Sequence, residues 1–367
     1  MNPTPLHPGH LVMVDIEGTR LDADTAAFLR QHQIRAVCLF RKNLGTEDEI
    51  RQLTADLRAA MGEHALIGID QEGGSVIRCT TLPQAPAAMA LGACADAAQA
   101  TRVGAAVARG LRSLGINWNF APVLDVNNNP ANPVIAERSF SANPDEVARL
   151  AQAWMDGSLA EGVACCAKHF PGHGDTHTDS HHALPTVDKS LPELEALELR
   201  PFRALAPTAP AIMTAHIVYP KIDPEHPATL SRPLLTGLLR ESMAYQGVVI
   251  TDALMMKAVH ERYGHARAAV LALQAGADLV LAQGRRSEQI AALQGIETAL
   301  QDGALDAAAL AQARARIDAL AARYPLHTSA YTAAQRLQDE ALMRRAWARG
   351  LTGVGQPTAP ALTAPIR

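Results

Sequence analysis

From residue 11 to residue 282, short apolar runs alternate with longer amphipathic segments, and this alternation restricts the fold more than any other feature. The strand-length runs fall at 11–16, 36–40, 65–69, 116–121, 162–167, 211–215, 248–251 and 279–282. Helix-period patterns fill 22–32, 46–61, 96–114, 144–160, 190–206, 232–242, 264–275 and 287–301. A helix after every strand argues for a parallel sheet with helices packed outside it. Eight such units are enough to close a (β/α)8 barrel. The rival, an open doubly wound sheet, needs G-x-G-x-x-G after an early strand, and no such turn stands there.

A barrel carries its chemistry just past the C-terminal ends of its strands. Those positions hold Glu17, Arg41, Asp70, Asp125, Lys168 with His169, His216, Asp252 and Gln283. Polar residues at all eight exits point both to the barrel and to a polar pocket at its mouth. Beyond Asp302, Ala, Leu and Arg recur at helical spacing over 305–323 and 332–349, and these helices are expected to pack against the outside of the barrel. The expected architecture is α/β, a single (β/α)8 TIM barrel with extra C-terminal helices over residues 1–350. The tail 351–367, rich in Pro, Thr, Ala and Gly, has little to bury and is expected to be disordered.

The chain of 367 residues is 48% hydrophobic, enough for a large core, and its net charge of −4 gives no reason to expect nucleic acid or an anionic membrane as partner. Five cysteines form no disulfide framework, and Cys38, Cys165 and Cys166 lie in apolar runs as small buried hydrophobes. The N-terminal ten residues lack a basic region, and no membrane-length apolar run follows. A cytoplasmic monomer is expected.

Residues 168–182 read K-H-F-P-G-H-G-D-T-H-T-D-S-H-H, five histidines in a stretch with no helical pattern before about residue 189. A loop of that length is uncommon in a compact domain unless it is functional or disordered. Phe170 and Leu184 supply apolar anchors against disorder; a plain polar surface loop is the alternative. Asp70-Gln71-Glu72-Gly73-Gly74 with Arg78 follows the third strand. There a carboxylate can accept from sugar hydroxyls and the glycines admit a ligand close to the backbone, unless this is an ordinary turn with a solvated acidic pair. Arg138 reaches either into the pocket or to its neighbour Glu137. Asp252, between an apolar strand and an apolar turn, must offset its desolvation, as a nucleophile or general base or as the N-cap of the next helix.

K-H-F-P-G-H-G-x4-D-S-H, with I-D-Q-E-G-G upstream and a strand-end Asp downstream, resembles glycoside hydrolase family 3. Within it the chain is similar to single-domain bacterial β-N-acetylhexosaminidases of cell-wall recycling, over roughly residues 8–300. The resemblance implies a retaining exo-β-N-acetylglucosaminidase that works without metal or cofactor on a small carbohydrate or muropeptide. It implies Asp252 as nucleophile, His181 as general acid/base and Asp179 as the partner that orients His181. It also implies Asp70, Arg78, Arg138, Lys168 and His169 as substrate-binding residues. The chemistry is coherent in itself, because retention needs a nucleophile and a proton donor, and an imidazole titrating near neutrality can be that donor. The chain departs from the family at Ala253, Ser75, Ile77 and Ser141, all beside the pocket. Two other readings stay open: a phosphorylase, since a neutral imidazole repels phosphate less than a carboxylate does, and a metal-dependent barrel hydrolase. The histidines crowd one loop, whereas barrel metal sites draw on several strand ends, which weighs against the metal.

Overall fold

The eight apolar runs form eight parallel strands in the computed structural model, which describes residues 6–129, 131–176 and 184–353. They are β1 (Val12–Asp15), β2 (Ala36–Leu39), β3 (Leu66–Ile69), β4 (Trp118–Asn119), β5 (Ala164–Phe170), β6 (Ala211–Thr214), β7 (Val248–Ile250) and β8 (Val280–Leu281). In space they run β7-β6-β5-β4-β3-β2-β1-β8. The two ends of this sheet meet through one parallel bridge, Ile250 to Leu279, with Thr251 N–H donating to the Leu279 carbonyl at 3.0 Å. Strand residues are buried on both faces, as a parallel sheet covered by helices and filled by its own side chains requires. At Gly68 a β-carbon would lie 2.5 Å from the Phe120 ring, so this glycine admits the ring to the interior.

The helices begin where local chemistry starts them. Asp22 caps α1 (Ala23–Gln31), and Thr46 and Glu49 form a capping box at α2 (Glu47–Met61). A short α3 (Ala88–Cys94) precedes α4 (Ala97–Ser113), and Asn143 with Pro144 opens α5 (Pro144–Ala160). The expected helix 190–206 divides into α6 (Leu191–Ala196) and α7 (Leu199–Leu205), and Pro233–Ser242 is a π-helix. The expected helix 264–275 begins earlier, as α8 (Lys257–Ala275), broken at Gly264, where φ is 66° and ψ 170°. Next is α9 (Arg286–Gln301). Two hairpins, Gln71–Gly73 with Val76–Ile77 and Val218–Tyr219 with Asp223–Pro227, carry no apolar alternation and were not anticipated.

The C-terminal helices are α10 (Ala307–Arg323) and α11 (Ala333–Gly353). α11 lies on the outside as expected, against α3 and α4, with Asp339 buried and bonded to Arg109 at 2.6 Å. α10 does not. Its Asp318 pairs with Arg35, just before β2, and its Arg316 with Asp278, just before β8, so it crosses the N-terminal floor of the barrel. α11 runs to Gly353, into the stretch expected as tail; residues 354–367 lie outside the described residues. No described helix is long and apolar enough to cross a membrane. Cys38, Cys165 and Cys166 are fully buried, and burial pushes their thiols up, Cys165 to about 12.

Candidate active site

Five of the expected site residues converge at the C-terminal mouth. Asp70 stands at the exit of β3, and Arg78 follows the first hairpin. Arg138 ends the 3-10 turn Ala136–Arg138. Lys168 and His169 belong to β5 itself, which runs three residues further than its apolar run; both side chains are buried against charged partners at the mouth. Asp252 lies just past β7. It does not cap α8, whose N-cap is Met256; its Oδ1 accepts from the Ala253 amide at 2.7 Å. His181 and Asp179 lie outside the described residues.

Lys168 Nζ donates to Asp70 Oδ1 at 2.7 Å and to Glu72 Oε1 at 2.6 Å. Arg138 holds Glu72 as a bidentate pair, Nε to Oε2 at 2.9 Å and Nη2 to Oε1 at 2.8 Å. Arg78 Nη2 lies 3.5 Å from Asp70 Oδ2. Glu72, in the sequence one of an acidic pair read as ligand-binding or else solvated, has a side chain only 7% exposed and is the partner of Arg138 in place of Glu137. Glu137 instead accepts from the Ser75 amide at 2.9 Å. The signal available was Glu72's place inside I-D-Q-E-G-G, on a hairpin that turns it inward.

Asp125, beyond β4, stands among the strand-exit residues of the sequence but not among the expected site residues. Its carboxylate is completely buried and accepts from the His169 ring at 2.7 Å and from the His173 amide at 2.6 Å. With His169 Nδ1–H donating to Asp125, the other ring nitrogen presents a lone pair, 3.4 Å from Arg138 Nη2. Burial alone would raise the carboxylates. Lys168 and Arg78 outweigh it at Asp70, Arg138 and Lys168 at Glu72, and His169 and His173 at Asp125, so all three are held below their ordinary range. Lys168 is raised, its desolvation exceeded by the two carboxylates. His173, buried beside His169, is lowered to about 4. Three carboxylates thus face three permanent cations in a pocket wall that offers donors and acceptors but little net charge.

The stems of the histidine stretch are fixed. Asn132 Nδ2 donates to the carbonyls of His173 at 2.8 Å and Gly174 at 3.0 Å. Lys189, beyond residues 177–183, bonds Asp175, before them, at 2.7 Å. Both flanks are therefore held at the barrel mouth.

Such a wall, formed by several strand exits, suits a neutral polyhydroxyl ligand, and comparison with known proteins agrees. The Glycosyl hydrolase family 3 N terminal domain matches residues 7–320. The chain is 37% identical over 339 residues to "Beta-hexosaminidase A" of Pseudoalteromonas piscicida, covering 84% of this chain but 56% of that relative's length. It is 38% identical over 286 residues to a "Beta-hexosaminidase" of Neisseria meningitidis, covering 76% of this chain and 79% of the relative. Among solved structures, a family 3 β-N-acetylglucosaminidase from a Paenibacillus species superposes with a TM-score of 0.89 at 39% identity, over 94% of this chain and 68% of that one. NagZ from Neisseria gonorrhoeae, solved with N-trifluoroacetyl-D-glucosamine, gives 0.78 at 31% identity, over 95% and 100%. With its eight-stranded barrel and its charge-paired mouth, the chain belongs to glycosyl hydrolase family 3 and is a glycoside hydrolase.

Proposed function

We propose that the protein is a retaining exo-β-N-acetylglucosaminidase that releases terminal N-acetylglucosamine from small glycans, with peptidoglycan turnover fragments as its substrates. The observation that carries this reading is the wall of Asp70, Arg78, Lys168, Arg138 and His169 at the barrel mouth, which offers acceptors and donors to sugar hydroxyls and whose three cations are balanced by Asp70, Glu72 and Asp125. The names of the relatives, β-hexosaminidases and β-N-acetylglucosaminidases, supply the sugar class.

In this mechanism the Asp252 carboxylate attacks the anomeric carbon as the bond to the aglycone breaks, and His181, oriented by Asp179, gives its proton to the departing oxygen. Neutral His181 then takes a proton from water, whose oxygen displaces Asp252 and releases the sugar with its configuration retained. In the chain Asp252 follows β7 and His181 follows β5, and catalytic residues of barrels commonly come from the ends of different strands.

Incubation with a fluorinated, activated N-acetyl-β-glucosaminide should give one sugar adduct by intact mass, on the peptide that contains Asp252. Asp252→Asn should lower kcat by about three to five orders of magnitude and abolish the adduct. Turnover of the unfluorinated sugar by the Asn variant at the parent's rate would refute the double displacement. In phosphate buffer the product should be free N-acetylglucosamine; the sugar 1-phosphate would establish the phosphorylase instead.

A further inference from the structure

His260 and His265 would not face each other on an unbroken helix, because five residues turn a helix by about 140°. Gly264 changes that. Its left-handed φ of 66° breaks α8 between the two histidines and brings His260 Nδ1 to 3.3 Å from His265 Nδ1, with the rings at 72° to each other. The other nitrogen of His265, Nε2, lies 2.7 Å from the Gln283 carbonyl. A carbonyl can only accept, so Nε2 carries the proton and the lone pair of His265 is on Nδ1, toward His260. A backbone carbonyl behind the ring is the arrangement that orients histidine ligands at metal centres.

The third member comes from the next strand–helix unit. Glu288, in the first turn of α9, places Oε1 at 3.6 Å from His260 Nε2, on the far side of the ring from Nδ1, and one donor atom from each of the three residues lies within 4.8 Å of the others. Gly284 makes room for the carboxylate, since a β-carbon there would lie 2.5 Å from Glu288 Oε2. The spacing is also right: two nitrogens at about 2.0–2.1 Å from a tetrahedral zinc ion are about 3.3–3.4 Å apart.

We propose that His260, His265 and Glu288 form a zinc(II) site at the rim of the barrel, with water in the fourth position, that ties the segment after β7 to the segment after β8. The ion takes the place of the His260–His265 hydrogen bond, and His260 changes tautomer as it binds, its proton passing through water from Nδ1 to Nε2. The site has no part in sugar chemistry and does not depend on the glycosidase reading.

The test uses full-length, EDTA-treated and dialysed protein titrated with zinc chloride by calorimetry, with bound metal counted after gel filtration. The histidine stretch at 168–182 is the competing binder, so the parent for the test carries His177→Ala and His181→Ala. It should bind one zinc per chain, and zinc should raise its Tm. His260→Ala, on a half-exposed ring, and Glu288→Gln should each weaken binding at least tenfold while leaving the metal-free Tm within a few degrees. A parent that binds no zinc, or a His260→Ala variant that binds it as the parent does, would overturn the site.

Discussion

Lys168 is the residue on which the pocket wall depends, because one buried ammonium answers two carboxylates that would otherwise compete for Arg78 and Arg138. Removing one member of a buried ion network leaves its partners desolvated, at a cost of about 3–5 kcal/mol. Lys168→Ala should therefore lower unfolding stability by that amount in urea titrations, and Lys168→Ala with Glu72→Gln should recover part of it. A loss confined to KM, with stability intact, would show that solvent replaces the ammonium. His173 makes a separate contribution. Its folded value of about 4 lies below the ordinary 6.5, so the unfolded chain binds its proton more readily. Stability from this group is complete above pH 6.5 and is lost as the pH falls toward 4, by about 3 kcal/mol in all. His173→Gln should flatten the stability profile across that interval, measured as urea midpoints at half-unit steps. At this scale the sequence named the residues better than their partners. Asp70, Lys168 and His169 stood out by position, but Arg138 had a carboxylate next to it in the chain and took one far away, Glu72. Pairings of that kind depend on the closed ring, which no local pattern encodes.

At the scale of elements, all eight strands were readable as apolar runs, since a strand buried on both faces must be apolar throughout. What escaped was polar or built on glycine. The hairpin at 71–77 is Gln, Glu, Gly, Gly and Ser before Val76 and Ile77, held by Gln71 Oε1 accepting from the Arg78 and Cys79 amides, so its order comes from one buried side chain and not from alternation. β5 was cut short at Ala167 because Lys168 and His169 look like a loop until their partners are known. α8 was started at residue 264 because its first turns carry charged and polar residues at no clear period. Gly264 itself has φ and ψ in a region reached almost only by glycine, and a β-carbon there would meet nothing within 4 Å. Gly264→Ala should therefore cost about 1–3 kcal/mol through backbone strain alone. Thermal unfolding gives the number; an unchanged Tm would mean that the break in α8 is not enforced by the glycine.

For the whole molecule, the alternation of strand and helix made the barrel legible, while its completion was not, because closure is a relation between the first strand and the last. The C-terminal helices show the same limit. α11 could be placed outside from its pattern, but only the pairing of Asp318 and Arg316 with residues below the strands puts α10 across the floor. The closure is also tighter than its register suggests. β7 and β8 share one bridge, Ile250 to Leu279, yet the Asp278 and Leu279 amides donate to the Val249 carbonyl, the Thr251 amide to Leu279 and the Leu254 amide to Leu281, while Asp278 Oδ2 accepts from the Val249 amide. Amides held by such a boundary open only with the core. Amides of residues 248–256 should therefore exchange with deuterium about as slowly as those of residues 36–40, and mass spectrometry of the two peptides gives the comparison directly. Asp252 stands between two of the ties that shut the cylinder, Thr251 to Leu279 and Leu254 to Leu281, so a sugar bonded to it would ride on a latched seam and not on a loose one.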